Sequence, residues 1–316
     1  MTASLYCEGL QDAAIHGALA PLGARLREGD PDRAGFLWIV RYPRGGEHIK
    51  VRLHAPADQE PRLRELLRET ADAWLATLPP ADPLRPRKDA PGLPAIDPED
   101  EATTPWPDRR LVWTRYRRSH VSLGGGPFLE DDRYVAHLTS SLGAGCWVVL
   151  QALVPDSAGK IADSLRQTTL LQLLIGGLAA VGFGGEERAT YLAYHRDWLV
   201  RFSLVKGGGD AERTRELLAR FDQRAEQMGA SLGALRDAAL GTWDMPDPRD
   251  PWQQTLADLA GYVARFRGNP DYRLDPFSED PVFTPVFKVF HGMANHLGLG
   301  VLPEALTYHL LLRAVA

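Results

Sequence analysis

Basic side chains recur at every second position of one short segment, namely His48, Lys50, Arg52 and His54 in HIKVRLHA, 48–55. In a β-strand, residues two apart point to the same face, so these groups would form a row of positive charge opposite an apolar face. Such a row can bind a carboxylate or another anion, and an arginine can do so through two parallel hydrogen bonds. The alternative is the solvent-facing side of an antiparallel sheet, which needs no ligand.

A histidine and an amide near the C-terminus form a second candidate group. His291 and Asn295 lie four residues apart in FHGMANHLGL, 290–299, so a helix would place both on one face beside an apolar stripe. A histidine in that position can act as a general acid or base near neutral pH. The alternative is a hydrogen-bonded histidine at the border of a packed helix.

Aromatic side chains are concentrated in ATYLAYHRDWLVRF, 189–202, which contains Tyr191, Tyr194, His195 and Trp198. These residues indicate either an aromatic pocket or ordinary core packing. If the segment lines a pocket, its tyrosine hydroxyls are candidate proton donors.

The segment TRYRRSHVSLGGGP, 114–127, places Tyr116, Arg117 and Arg118 before a run of three glycines. Consecutive backbone N–H groups in such a run can form an anion-binding nest. The alternative is a turn at the end of a strand. The spacing does not match a nucleotide-binding P-loop, because no lysine follows the glycines.

Composition excludes several classes of function. The chain has 316 residues and a formal net charge of −5, which argues against non-specific binding of nucleic acid. Its two cysteines, Cys7 and Cys146, form no CxxC pair, and the sequence contains no recognisable metal or cofactor motif, so we expect neither group. There is no signal-peptide pattern, and the most apolar run, 170–185, is too short to span a bilayer. We therefore expect a cytoplasmic protein that is not bound to membranes.

The residue pattern predicts an α+β fold, with a small antiparallel sheet near the N-terminus packed with a helical majority. Alternating residues and a Gly-Gly turn predict a β-hairpin over 36–54, and RLVWTRY predicts a further strand over 110–116. Between them, a helix is predicted over 60–78 and a proline-rich loop over 79–107. The predicted helices after residue 127 are 130–153, 161–182, 186–204, 210–227, 251–267, 283–297 and 302–315.

Three of these segments, taken in order, resemble the C-terminal, elimination-type domain of lantibiotic dehydratases. FLWIVRYPRGGEHIKVRL is similar to an aromatic strand followed by the family's His-x-Arg-x-Arg pattern. YRRSHVSLGG occupies the place of Tyr-x-x-Glu-x-x-Arg-Tyr-Gly-Gly, and FHGMANHLGL that of His-Met-x-x-Asn-Arg-Leu. The resemblance covers nearly the whole chain and implies a single elimination-domain-like domain over 1–316.

The resemblance implies a role in the modification of a ribosomally made precursor peptide that carries a leader. Full dehydratases first esterify serine or threonine with glutamate from glutamyl-tRNA, and the domain seen here then eliminates glutamate to leave dehydroalanine. This chain is too short for the first step, so no direct binding of tRNA is expected. Stand-alone relatives either act as the elimination subunit of a split dehydratase, with partner proteins, or form the pyridine ring of thiopeptides from two dehydroalanines.

Departures from the family pattern favour pyridine formation. Arg52 and His291 match family positions, but Lys50 replaces an arginine and Ser122 another, which weakens a site for a departing glutamate. A formal aza-[4+2] cycloaddition instead requires two alkenes to be held close together and requires acid–base groups. The remaining alternatives are the elimination subunit and a noncatalytic subunit that binds the leader. The chain could also form a homodimer. The predicted catalytic residues are His291, Tyr116, Tyr191 and Tyr194, and the predicted peptide-binding residues are His48, Lys50, Arg52, Arg117, Arg118 and Asn295.

Overall fold

The computed structural model describes residues 1–29, 37–42, 47–53, 56–80, 108–114, 132–153, 155, 161–205, 211–240, 251–267 and 282–315. The chain divides into two compact units, Met1–Ala162 and Asp163–Ala316. We call them the sheet unit and the helical unit. The prediction that 1–316 behaves as one domain stays a prediction.

A four-stranded antiparallel sheet forms the centre of the sheet unit, with the strand order β2-β3-β1-β4. The strands are β1 (Thr2–Tyr6), β2 (Leu37–Tyr42), β3 (His48–Leu53) and β4 (Arg110–Thr114). Its helices are α1 (Gln11–Ala14), which continues through a π-helical segment (Ile15–Leu19) into α2 (Ala20–Gly29), then α3 (Glu60–Leu75) after a 3₁₀ turn (Ala57–Gln59), and α4 (Asp132–Ala152).

Strand alternation gives the sheet one apolar face. Leu5, Ile39, Ile49 and Val51 belong to this face and are fully buried. Helix α4 packs against β2, and α3 packs against both β4 and the π-helical segment. The approach of α3 is close, because a Cβ atom on Gly17 would lie 2.4 Å from the Cδ1 atom of Trp74.

Seven helices form the described part of the helical unit, and the last of them packs against four others, α5 to α8. They are α5 (Asp163–Ala180), α6 (Gly185–Val205), α7 (Ala211–Met228), α8 (Ala230–Leu240), α9 (Pro251–Arg267), α10 (Phe283–Leu297) and α11 (Val301–Val315). Helix α10 packs on α5, where a Cβ atom on Gly177 would lie 1.9 Å from the Cζ atom of Phe290. In the part of the chain that the structure describes, no helix is long and apolar enough to cross a bilayer.

These elements confirm the predicted α+β class. The predicted hairpin is present, with Leu37 opposite Leu53 and Tyr42 opposite His48. The predicted helices are present with ends shifted by a few residues at most. Strand β1, helices α1 and α2, and helix α8 were not predicted. The proline-rich loop lies outside the described residues except for its first two positions.

Candidate active site

A tight turn between the last two helices builds the candidate site. Gly298 ends α10 with φ +78°, a conformation that costs glycine little. The N–H of Leu299 donates to the carbonyl of Ala294, and that of Gly298 to the carbonyl of Asn295, which is the Schellman pattern of a helix C-terminus. Helix α11 begins at Val301, so its first turn faces the last two turns of α10.

Across this turn, His291 on α10 meets Glu304 on α11. The Nδ1 atom of His291 lies 3.0 Å from Oε1 and 2.9 Å from Oε2 of the carboxylate. Glu304 is 2% exposed, whereas 22% of the His291 side chain is accessible to solvent. A buried carboxylate thus orients an imidazole that is partly accessible to solvent, an arrangement that suits proton transfer to a ligand.

The pKa values of both groups are raised, but for different reasons. Burial raises the pKa of Glu304 above its usual range, against the opposing effect of His291. Burial lowers the pKa of His291, but the charge of Glu304 and its hydrogen bond outweigh that effect, so the pKa is raised. The pair therefore keeps a proton to higher pH than an isolated histidine would, which suits a general acid.

Aromatic rings from α6 and α10 surround this pair. The His291 ring stacks on Phe287 at 5.3 Å between centroids and meets Trp198 edge-on at 6.3 Å. Phe287 in turn stacks almost parallel on His195 at 4.1 Å. Such surroundings lower the local dielectric, which strengthens the interaction between His291 and Glu304.

A buried layer of aromatic residues lies beneath these rings. The Tyr191 and Tyr308 hydroxyls are 3.5 Å apart, and both residues are fully buried. Burial raises the pKa of each phenol, so both stay neutral. His195 is also buried, and neither of its ring nitrogens has a hydrogen-bond partner. Burial, followed by the charge of nearby His291, holds the pKa of His195 well below its ordinary value.

The structure brings three predicted catalytic residues into one cluster. His291 contacts Phe287, which contacts His195, and the His195 ring is met edge-on by Tyr191 at 4.5 Å and Tyr194 at 4.9 Å. Asn295 lies one turn beyond His291 on α10 and is half-buried. The predicted residues Tyr116, Arg117 and Arg118 lie outside the described residues.

The basic row lies in the sheet unit, and the idea of a solvated sheet face is wrong. His48, Lys50 and Arg52 share one face of β3, and they are 0%, 2% and 3% exposed. The Nζ atom of Lys50 lies 4.4 Å above the Tyr42 ring, and the guanidinium of Arg52 lies 4.3 Å above the Trp38 ring. Cross-strand pairing places each cation beside a β2 residue on the same face, which the alternating pattern of β3 alone does not reveal.

Sequence reasoning missed Glu304 and Tyr308. Both lie on α11, four residues apart, in the mostly apolar segment VLPEALTYHLLL. A carboxylate inside an apolar helix is a signal of a buried functional pair, because an ionised group is rarely buried without a partner. Its partner, however, lies on another helix and depends on the turn at Gly298.

The chain belongs to the lantibiotic biosynthesis dehydratase C-terminal family, whose sequence profile matches residues 1–315. Its fold is similar to that of a solved structure described as the pyridine synthase TbtD from thiomuracin biosynthesis, with a TM-score of 0.62 and 16% identity over 99% of this chain and 96% of that one. It is also similar to the crystal structure of TsrL, with a TM-score of 0.57 and 16% identity over 99% and 93% of the two chains. None of the curated proteins matches it. Family membership supports a role in the maturation of ribosomally made peptides.

Proposed function

We propose that this protein is a pyridine synthase-like enzyme. It would join two dehydroalanines of a modified precursor peptide in a formal aza-[4+2] cycloaddition and release water and the leader peptide, leaving a macrocycle. The observation that carries the proposal is the His291–Glu304 pair, an oriented and partly accessible acid–base group among aromatic rings. The fold shared with TbtD supports it.

The reaction requires proton transfers that one such pair can supply. An amide of the peptide must be converted to its iminol form, so that its C=N bond and the neighbouring alkene act as the diene. In our proposal His291 donates a proton to the amide oxygen, and a base removes the N–H proton. Loss of the hydroxyl as water again needs an acid, and expulsion of the leader needs a proton on the departing amide nitrogen.

The surrounding rings suit an uncharged substrate. The two alkenes must be held in contact with the correct orientation, which is catalysis by proximity. Phe287, Trp198 and Tyr194 offer flat apolar surfaces on one side of the pair, and Tyr194 and Trp198 are only half-buried. Tyr191, whose hydroxyl meets that of Tyr308, fits a role in positioning the cluster. The other predicted residues, Asn295, Tyr116, Arg117, Arg118 and the basic row, remain proposed contacts of the peptide.

The second candidate is glutamate elimination by a split-dehydratase subunit. The observation that favours it is the pair of cations on one face of β3, where Lys50 and Arg52 lie two residues apart. Cations of this kind suit a departing carboxylate. A subunit that only binds the leader is the third candidate.

Mass spectrometry on two peptides distinguishes the three candidate functions. The purified protein is incubated with a leader-bearing peptide that contains two dehydroalanines, and separately with a peptide that contains glutamylated serine. A macrocycle that has lost water and the leader, with pyridine absorbance, is expected from the first. Loss of glutamic acid from the second alone would show elimination instead, and binding of both without change would show a noncatalytic subunit.

A further inference from the structure

The turn that builds the acid–base pair also lines a groove on the helical unit. Its volume is about 610 Å³, and its walls are α5, α7, the 298–300 turn and the first turns of α11. The floor is apolar, and the residues that form it are Leu217, Phe221, Leu299, Leu302 and Leu306. This volume lies within the range of built ligand sites, which is roughly 300–1,000 Å³.

One floor residue is exposed to an unusual degree. Leu302 is 38% exposed, and among the described residues only Leu165, on α5, is another large apolar side chain with comparable exposure. Both belong to helices that form the groove. Exposed apolar surface beside a concave floor is typical of a surface that another molecule covers.

The rim of the groove is positively charged. Arg220 and Arg224 lie one turn apart on α7, both line the groove, and both are exposed. The N-terminus of α11 opens into the same groove and adds a partial positive charge from its backbone N–H groups. On the opposite wall, Asp163 is paired with Arg166 at 3.7 Å, so its charge is offset locally.

The shape favours a peptide over a compact metabolite. Leu217 and Arg224, which both line the groove, are seven residues apart, which corresponds to about 10 Å of helix, so the groove extends along α7. An amphipathic helix binds such a floor through apolar residues spaced i, i+3 or i+4, and i+7. Carboxylates on its flank would meet the two arginines.

We propose that this groove binds an acidic, amphipathic segment of the precursor peptide, with leucine-sized side chains on the floor and carboxylates on Arg220 and Arg224. The choice of a peptide as the occupant rests on the proposed function. The same helix, α11, carries the groove residues Leu302 and Leu306 and the catalytic-site residue Glu304. A segment anchored here would raise the effective concentration of the rest of the peptide at the pair.

A display selection tests this without knowledge of the natural peptide. Random 20-residue peptides are selected against the full chain, and the survivors are counter-selected against the double variant Arg220→Glu, Arg224→Glu. Groove-dependent peptides are expected to be rich in Asp and Glu, with large apolar residues at helical spacing. Failure to enrich any groove-dependent peptide, or enrichment of basic ones, overturns the proposal.

Fluorescence anisotropy then measures the selected peptides against matched variants. The double variant and Leu302→Asp are each expected to weaken binding at least tenfold, and high salt is expected to weaken binding to the wild type. Arg215→Glu makes the same charge change as each of the two arginine substitutions, on α7 at an exposed residue that does not line the groove, and should stay within twofold of wild type. Equal weakening by Arg215→Glu would reduce the effect to net charge and overturn the site.

Two further measurements distinguish peptide binding in the groove from the proposed chemistry and from dimer formation. Glu304→Gln, which the proposed chemistry expects to form product much more slowly, is expected to bind the selected peptides as tightly as wild type, so binding and chemistry can fail independently. Light scattering tests a second copy of the chain as the occupant. A dimer that the Arg220→Glu, Arg224→Glu variant dissociates would overturn the peptide assignment.

Discussion

The basic row of the sheet unit and the acid–base pair of the helical unit both place polar groups in apolar surroundings, but they hold them differently. Lys50 and Arg52 are almost fully buried over the rings of Tyr42 and Trp38. His291 faces solvent with 22% of its side chain and is held by Glu304 from behind. The first arrangement resembles a packed structural layer, and the second resembles a group that exchanges protons with a ligand.

The difference shows that charge pattern alone does not separate binding from packing. In the sequence, HIKVRL carries the denser and more regular set of charged groups. In the structure, strand pairing surrounds those groups with aromatic residues and small polar residues such as Ser4 and Thr2. Four predictions test whether the two regions divide stability and chemistry in this way.

The largest effect is expected from Glu304→Gln. The amide keeps the shape of the side chain but removes the charge that raises the pKa of His291, so a smaller fraction of His291 is protonated at a given pH. Product formation should fall by about 10² to 10³, within the range for a general acid–base group. The rate should be measured by mass spectrometry together with its pH profile, whose limb should move to lower pH.

The chain supplies a matched control for this change. His309 and Asp222 form a second histidine–carboxylate pair, with Nε2 and Oδ1 3.1 Å apart, and Asp222 is 46% exposed. Asp222→Asn should leave the rate within twofold of wild type. If both variants lose activity equally, the effect reflects damage to α11 and not loss of an acid.

The next effect concerns the stability of the sheet unit. Arg52→Ala removes a buried stem and its contact with the Trp38 ring, which should lower the free energy of unfolding by about 2 to 4 kcal/mol. Arg64→Ala is the control, because Arg64 also lies over a tryptophan ring, that of Trp113, but is 47% exposed. It should cost roughly 0.5 kcal/mol in a urea titration.

A second variant at position 52 distinguishes packing from binding. Arg52→Met keeps much of the apolar volume and is expected to unfold at nearly the same urea concentration as the wild type. If product formation also survives, the basic row is structural. Loss of product without loss of stability would make the row a substrate site and favour glutamate elimination.

The sequence was sufficient to predict the strands and helices whose apolar residues recur with a clear period. The β2–β3 hairpin and helices such as α10 show alternation or a helical stripe, and the structure confirms them. Strand β1, TASLY, is buried on both faces and is only five residues long, so it shows no polar alternation. Helix α8, ASLGALRDAAL, contains a glycine and starts directly after α7 ends at Met228, so it lacks a clear start signal.

The candidate site was only half predictable for a related reason. His291 could be chosen from its helix face, and Tyr191 and Tyr194 from local aromatic density. Glu304 meets His291 only because the turn at Gly298 brings α10 and α11 together, and that contact belongs to the tertiary structure. The pair is close in sequence, thirteen residues apart, yet no local period connects the two helices.

A smaller effect on stability is expected at the interface between α5 and α10, the helix that carries His291. Gly177→Ala introduces a Cβ atom 1.9 Å from the Cζ atom of Phe290, so α10 or the ring must shift. We expect a loss of about 1 to 3 kcal/mol in unfolding free energy, as is usual for overpacking. Gly185→Ala is the control, because no atom lies within 4 Å of the added Cβ.

The smallest effect, and the most specific, is a change in pH dependence at His195. Its pKa is lowered in the folded state by burial and by His291, so protonation favours unfolding. The neutral ring therefore contributes stability that is present above its ordinary pKa of about 6.5 and is lost as the pH falls. His291 has the opposite sign, because its raised pKa contributes stability that is lost as the pH rises.

His195→Leu should remove the acid-side loss and leave the alkaline-side change in place. Between pH 7 and pH 5 the variant should gain up to about 2 kcal/mol relative to wild type in urea titrations, whatever its absolute stability. Glu304→Gln should instead flatten the change on the alkaline side, because His291 then loses the carboxylate that raises its pKa. If His195→Leu follows the wild-type curve at every pH, the buried imidazole is not the group that titrates on unfolding. The contrast between a proton-exchanging His291 and a neutral, packed His195 would then fail.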